Sequence, residues 1–401
     1  MKKLLMIDPA FPHPPKSKNH QNVLPIPLLK IGAMYKDKGW DVMLVRLSES
    51  EDPIDYEPDE IKVTSLFTYY SKYVVDAVRW ARTHYPDVPI EVGGIWASLM
   101  PDKCRELTGA DVFVGVCNEA EQYPADYSLL SESIDFQILH TQRGCHRRCK
   151  TCGVYCIEPD LEFKDSIKDL VQKPKLVFYD NNLLLNPHIE KILKELILLK
   201  RKRIVKSCES QSGFDGRILR NKPYLARMLK EAGFIKPKIA WDGSIKNWEK
   251  RKQEVDILKQ VYAPKHISVF VLYNYEQPFE DLENKRRYCW DWKVQVTNCR
   301  YRPLDALDDL FQGRKKNQTT EDYYIHPNWS DEEVKKYNQN VRRHNMCLRF
   351  GTLFHSRKMQ YKKISKEMSN FCRYMTPQEA SKYLDDVWNP ADFHGIGVQN
   401  V

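Results

Sequence analysis

The stretch TQRGCHRRCKTCGVYC, residues 141–156, places Cys145, Cys149 and Cys152 at C-x3-C-x2-C spacing, with Cys156 after three more residues. Thiolates this close can pair as disulfides, close a four-ligand zinc site, or hold a 4Fe–4S cube. A zinc site would take its fourth ligand from Cys156 or His146. A cube held by three thiolates keeps one iron open to a substrate or cofactor. The chain has eleven cysteines, an odd number, and most are scattered singly. Its opening, MKKLLMIDPAFP, carries an apolar patch only from residue 4 to 7 before Asp8, too short for a secretory leader. Both points argue for a reducing cytoplasm and against a disulfide framework. Zinc modules usually use two separated pairs of ligands, whereas both flanks here read as ordered α/β structure. Cys156 reads as a buried small hydrophobe rather than a ligand. Cys208, Cys289, Cys299, Cys347 and Cys372 lack the pairing expected of a second cluster.

The elements that must position this cluster alternate along the chain. In residues 1–125, KLLMID (3–8), DVMLVR (41–46), IKVTSLF (61–67), PIEVGG (89–94) and DVFVGV (111–116) read as strands. PLLKIGAMYKDKG and SKYVVDAVRWARTHYP read as helices, the second with Val74, Val78 and Ala81 on one face. Apolar strands that do not alternate with polar residues, in β-α-β order, predict a doubly wound, Rossmann-like parallel sheet covered on both faces. The proline-rich loop after the first strand and Gly93-Gly94 after the fourth lie at the strands' carboxyl ends, where such sheets bind ligands.

The alternation restarts at residue 136. FQILH (136–140), KLVFYD (175–180), RIVKSCES (203–210), KIAWD (238–242), HISVFVLY (266–273) and KVQVTN (293–298) are the next strands, with helical segments between them. Six βα units predict a partial (β/α)6, TIM-like barrel over residues 136–304, with the cysteines after its first strand on the catalytic edge. Residues 305–401 read as a helical, basic extension in which Ser330 and Glu333 form a capping box. The net charge of +9 is concentrated there: residues 335–373 hold eleven Lys or Arg against one acid, Glu367. Tyr337, Phe350, Phe354, Tyr361 and Phe371 stand among these charges. The mixture suits nucleic acid or another acidic partner, though a solvated amphipathic helical face is the commoner cause of such a pattern. No apolar run is long enough to span a bilayer.

Taken together, the C-x3-C-x2-C spacing, the preceding RGC and the six βα units resemble the radical S-adenosylmethionine superfamily. That resemblance implies that Cys145, Cys149 and Cys152 hold a 4Fe–4S cluster whose open iron chelates S-adenosylmethionine. A flavodoxin- or ferredoxin-like reductant would supply electrons for cleavage to a 5′-deoxyadenosyl radical. The third cysteine usually follows an aromatic residue in the family, and here it follows Thr151. Carried onto this sequence, the S-adenosylmethionine contacts would be Gly153, Asp180 and Asn181 in VFYDNN, Gln211, Asp215 and Arg217 in ESQSGFDGRIL, and Asp242 in AWDGS. Asp and Asn at such places are also common caps and turns. Asn298, Arg300 and Arg302, ending the sixth strand, could bind an anionic group.

Residues 1–125 resemble the cobalamin-binding domain often fused ahead of such barrels, with Gly93 and Gly94 as its cofactor contacts. The D-x-H-x-x-G cobalt-ligand motif is missing: Asp8 is followed by Pro9, Ala10 and Phe11, and His13 and His20 read as loop residues. With cobalamin, the implied reaction is methyl transfer to an unactivated carbon. Without it, the first domain is a docking platform and the radical acts on a nucleic acid, a peptide or another acidic substrate. A zinc-stabilised nucleic-acid-binding protein is the alternative outside enzymology.

Overall fold

The computed structural model describes residues 1–12, 24–47, 54–311, 318 and 321–350. His13, His20, Cys372 and the basic stretch 351–373 lie outside the described residues.

Five strands, β1 (Lys3–Asp8), β2 (Asp41–Arg46), β3 (Glu60–Ser65), β4 (Ile90–Gly94) and β5 (Asp111–Val112), form a parallel sheet in the order β2-β1-β3-β4-β5. The interior strand β1 shows why. Leu4, Leu5, Met6 and Ile7 are all fully buried, so both faces of the sheet must be covered. Leu4 and Met6 pack with Leu28 of the helix Ile26–Asp37, while Leu5 and Ile7 join Val74, Val78 and Ala81 of the helix Ser71–His84. The strand order reverses between β1 and β3, a switch point of the kind that opens a ligand crevice at the carboxyl edge. β5 is shorter than its sequence suggests. Phe113 donates the last ladder bond, to Val92 O at 2.9 Å, and the chain then leaves the sheet with Phe113 and Val114 exposed.

The second half contains β6 (Phe136–Leu139), β7 (Gln142–Arg143), β8 (Glu162–Phe163), β9 (Lys175–Phe178), β10 (Ser207–Ser210), β11 (Lys238–Ala240), β12 (Ser268–Tyr273) and β13 (Gln295–Arg300). One continuous barrel wall is not what the hydrogen bonds show. β10-β9-β6 and β11-β12-β13 are two separate three-stranded parallel sheets, and β7 pairs antiparallel with β8. Only isolated parallel bridges join this region among the described residues, Cys208 to Phe234 ahead of β11 and Phe214 to Ile239 within it, with Phe214 N donating to Lys238 O at 2.7 Å. The break has a local cause. Strand β10 starts only at Ser207, and past Ser210 the chain turns through Gly213 at φ +81. A Cβ on Gly213 would lie 2.7 Å from Lys238 O, so the close approach needs glycine.

Helices cover the outer faces in one core that includes Ile192 and Leu196 of the helix Ile189–Arg201 and Val255 and Leu258 of the helix Trp248–Lys259. The helix Asp331–Phe350 begins at the expected capping box: Ser330 N donates to Glu333 Oε2 at 2.8 Å and Glu333 N to Ser330 Oγ at 3.2 Å. Its Tyr337 and Val341 enter the same core, so Tyr337 cannot serve as a stacking platform for a base. No helix among the described residues is long and apolar enough to cross a membrane.

Candidate functional site

The cysteine loop springs from β7 and returns through β8. Gly144, at φ +71, brings the two limbs together: a Cβ there would meet Asp160 O at 2.1 Å. Glu158 clamps the loop from within, accepting from Gly144 N at 2.9 Å, Arg143 Nη1 at 2.8 Å and Asn181 Nδ2 at 2.6 Å. Cys152 N donates to Cys149 O at 3.0 Å, closing a turn between those two ligand candidates. Cys145 and Cys152 are half-buried and Cys149 is exposed. Burial raises the thiol pKa of Cys149, and Cys145 and Asp242 raise it further. Burial likewise raises Cys152, which also feels Cys149, Cys145 and Cys156. The thiols therefore lie within electrostatic reach of one another. Cys156 is not the buried small hydrophobe expected of it: it is exposed on the helix Val154–Ile157.

Among the described residues no three His, Cys, Asp or Glu side chains converge as a single metal ion requires. A 4Fe–4S cube takes each thiolate on a separate iron, whereas one zinc ion needs its ligands around a single centre.

Because the strands are parallel, the residues that follow them share the edge on which this loop stands. Asp180, after β9, is fully buried. Its Oδ1 accepts from Thr141 N at 2.8 Å and Thr141 Oγ1 at 2.5 Å, bracing the chain just ahead of the loop. Burial raises its carboxyl to about 7, partly offset by the Thr141 bonds. Asp215 caps the helix Gly216–Asn221 through Arg217 N at 3.0 Å and reaches back into the loop, with its Oδ2 accepting from Arg147 Nη2 at 2.5 Å and Asn182 Nδ2 at 3.1 Å. Burial works to raise Asp215, but the Arg147 and Asn182 bonds outweigh it and hold the carboxyl below its usual range. The Arg217 side chain is exposed, 3.5 Å from Asp215.

Asp242, after β11, is exposed. The protein packed around its carboxyl raises its pKa all the same, with buried Lys285 pulling the other way. Lys285 donates to Trp241 O at 2.9 Å, and burial pushes it down to about 8. Asp242 acts electrostatically on both Cys149 and the exposed Cys299 of β13. Gln211 Oε1, Asp180 Oδ2, Asn182 Oδ1 and His140 Nδ1 are buried with no protein partner. Buried polar atoms are nearly always hydrogen-bonded. Four such atoms at the carboxyl ends of β6, β9 and β10 therefore suit a polar ligand at this edge.

The first sheet's carboxyl edge stands over the same region. Arg302, just past β13, lies 4.3 Å above the Tyr69 ring, and Ser71 Oγ donates to Leu307 O at 2.8 Å. On the other side Gly153 abuts Leu99: a Cβ on Gly153 would stand 3.0 Å from Leu99 Cδ2. Arg143 also bridges Glu158 to Glu121 of the first domain, at 2.7 Å. Between these ties the ends of β3, β4 and β5 present Phe67, 47% exposed, Gly93, and Phe113 with Val114. Phe67 stacks on Tyr69 at 5.0 Å. A Cβ on Gly93 would meet only Phe113 Cβ, at 3.8 Å, so the backbone at Gly93 has open space beside it.

Gly94 serves a different purpose. At φ +104, a Cβ on it would lie 2.2 Å from Ser65 O, so its missing side chain makes room for β3 rather than for a ligand. His84, the described histidine of this domain, ends its helix at the opposite edge of the sheet. Phe11, where the cobalt-ligand motif would continue, is buried beside Tyr70 and Tyr73.

Asn298 donates to Asn338 Oδ1 at 2.9 Å. Arg300 bonds Tyr324 O at 2.9 Å and pairs with Asp309, and Arg302 Nε donates to the same carboxylate at 3.1 Å. Asp309 thus answers much of the charge on both arginines. No protein-family model matches this chain, and no curated protein matches it. The site therefore stands on its own geometry. Sequence reasoning missed Arg147, Asn182, Glu158, Thr141 and Asp309. Each acts through a partner on another strand or loop, and Arg147, inside the cysteine spacing, was the one with a local signal.

Proposed function

We propose that this chain is a radical S-adenosylmethionine enzyme. The observation that carries the reading is one loop bearing the C-x3-C-x2-C thiols on the same strand edge as buried polar atoms that lack protein partners. In this reading the two three-stranded sheets form the wall of a partial (β/α)6 barrel. Cys145, Cys149 and Cys152 hold a 4Fe–4S cluster, and S-adenosylmethionine lies along the ends of β6, β9 and β10. When bound, the cluster supplies one electron to the sulfonium, releasing methionine and a 5′-deoxyadenosyl radical.

The chain's own residues position and shield. Arg147 and Asp215 lock the loop to the helix Gly216–Asn221. Asn182 and Gln211 offer unpaired oxygens to ligand N–H or O–H groups. Asp242 places a carboxylate near Cys149, and the first domain, tied to the cysteine loop through Leu99 and Glu121, stands over it. The open backbone at Gly93, with exposed Phe113 beside it, supports the version in which cobalamin lies against this edge and methyl transfer to carbon is the reaction. The cobalamin-free version, acting on nucleic acid or peptide, differs in its cofactor content.

The test is anaerobic reconstitution with iron and sulfide, followed by dithionite, S-adenosylmethionine and hydroxocobalamin. The expected result is about four irons per chain, 5′-deoxyadenosine release that Cys149→Ala abolishes, and retained cobalt. Release without retained cobalt removes cobalamin and keeps the radical enzyme. A colourless zinc protein that leaves S-adenosylmethionine intact refutes the proposal.

A further inference from the structure

At the amino ends of β9, β10 and β11, on the edge opposite the cysteine loop, the chain gathers a second set of cations. The helix Ile189–Arg201 runs out through Lys200, Arg201, Lys202 and Arg203, and Lys206 precedes β10. Arg201, Lys202, Arg203 and Lys206 are exposed, and among the described residues no carboxylate forms an ion pair with them. Lys200 Nζ donates to Lys206 O at 3.2 Å and stands 3.0 Å from where a Cβ on Gly233 would lie. The entry to β11, Ile235 and Lys236, therefore belongs to the same surface, and Ile235 N donates to Cys208 O of β10 at 2.9 Å. Acids are few here. Asp135 pairs with Lys175, Glu209 with Lys236 and Lys238, and Glu231 is exposed at the end of the helix Leu225–Glu231.

Three large aliphatic side chains stand in solvent among these charges: Leu198 at 55%, Ile204 at 48% and Ile235 at 42% exposure. Leu198 lies one helical turn before Arg201 and Lys202, and so shares their face. The segments 198–206 and 231–236 offer no exposed aromatic ring, since Phe234 is buried. Arg203 sits at φ +60 and Lys236 at φ +51, in the left-handed region that other side chains avoid. Arg203 N donates to Lys200 O and Ile204 N to Leu199 O, each at 3.0 Å, which closes the helix. Glycine is the usual residue at such a helix end. Here the turn carries a cation instead, followed by an exposed isoleucine.

From this edge we infer that the chain docks peripherally on an anionic lipid surface. The cations draw the protein to negatively charged headgroups, and the aliphatic side chains between them enter the boundary of headgroups and acyl chains. Nucleic acid would meet the same cations with its phosphates. Its bases, however, seek aromatic rings to stack on, and it offers Leu198, Ile204 and Ile235 nothing apolar to enter. Aliphatic residues set among unpaired cations therefore favour lipid. Docking at the amino ends of the strands places the cysteine loop at their far ends, away from the bilayer. The inference is thus independent of the radical S-adenosylmethionine reading, and each can fail without the other.

The experiment mixes the full chain with vesicles and measures what pellets with them. One set is phosphatidylcholine alone, and the other includes about 30% phosphatidylserine. The chain is expected to pellet with the anionic vesicles, far less with the neutral ones, and less again as ionic strength rises. Arg201→Glu/Lys202→Glu/Arg203→Glu should lower the affinity for anionic vesicles about tenfold or more. Arg203→Gly removes one charge and relaxes the left-handed turn, so it should lower affinity about fivefold without lowering the melting temperature. Leu198→Ser/Ile204→Ser keeps every charge and should weaken binding as well. No preference for anionic vesicles, or binding that survives the charge reversal through another basic part such as residues 335–373, would overturn the inference. So would affinity indifferent to the serine pair, or duplex RNA bound more tightly per phosphate than the anionic vesicles.

Discussion

Asp180 shows how one residue can brace a site and store a cost. Oδ1 is used by Thr141, while Oδ2 is buried without a partner. Burial lifts its pKa from 3.8 to about 7, so the folded chain binds the proton more tightly than the unfolded one. The stability linked to that proton is therefore full below about pH 4 and is lost as pH rises through about 7, with a penalty of roughly 4 kcal/mol above it. Asp180→Asn keeps an acceptor for Thr141 and removes the charge. We expect its melting temperature to exceed that of the wild type at about pH 8, with the difference shrinking or reversing near pH 4. Thermal melts across that range check this, and a variant whose pH profile parallels the wild type's would show that Asp180 does not titrate as described.

At the scale of elements, the end of β13 is held by a shared acid. Asp309 answers Arg300, whose side chain is 3% exposed, and also Arg302, which reaches the first domain at Tyr69. Removing it leaves Arg300 buried with its charge uncompensated, so Asp309→Ala should cost about 3–5 kcal/mol in denaturant unfolding. Gly94→Ala is expected to be about as damaging, because φ +104 excludes a side chain and Ser65 O occupies the space. A loss below about 1 kcal/mol for either variant would show that the strand ends relax freely.

The parallel elements and their covered faces were legible because KLLMID and its counterparts are apolar without alternation, and Val74, Val78 and Ala81 recur at helical spacing. The strand ends were less so. RIVKSCES reads as eight strand residues, yet only Ser207–Ser210 pair, since Gly213 turns the chain across Lys238. Tyr337 looked like a nucleic-acid contact among lysines, but its ring packs in the core against Tyr273 and Phe279. Charge composition does not reveal which face of a helix is buried.

For the whole molecule, the decisive contact is between the first domain and the cysteine loop. Leu99 touches Gly153, and Glu121 pairs with Arg143. Gly153→Val would force branched methyls into Leu99 and should destabilise the chain by about 1–3 kcal/mol. Adding Leu99→Ala, which costs stability by itself, should recover part of that loss. Chemical denaturation of the two single variants and the double variant measures the coupling, and strictly additive losses would show that the two residues do not bear on each other. The same contact makes the first sheet's carboxyl edge the ceiling of the proposed site.

What the sequence determined by itself is local. The spacing of Cys145, Cys149 and Cys152, the periodicity of the strands and helices, and the capping box at Ser330 are each set by residues a few positions apart, where chain geometry allows few alternatives. Only the tertiary structure decided which charges meet. Arg147 found Asp215, Arg300 and Arg302 found Asp309, and Glu158 closed the cysteine loop. It also brought Gly93, in β4, against Phe113, just past β5. Such pairings depend on sheet order and crossover, through which residues far apart in sequence come within a few ångströms. No spacing along the chain encodes them.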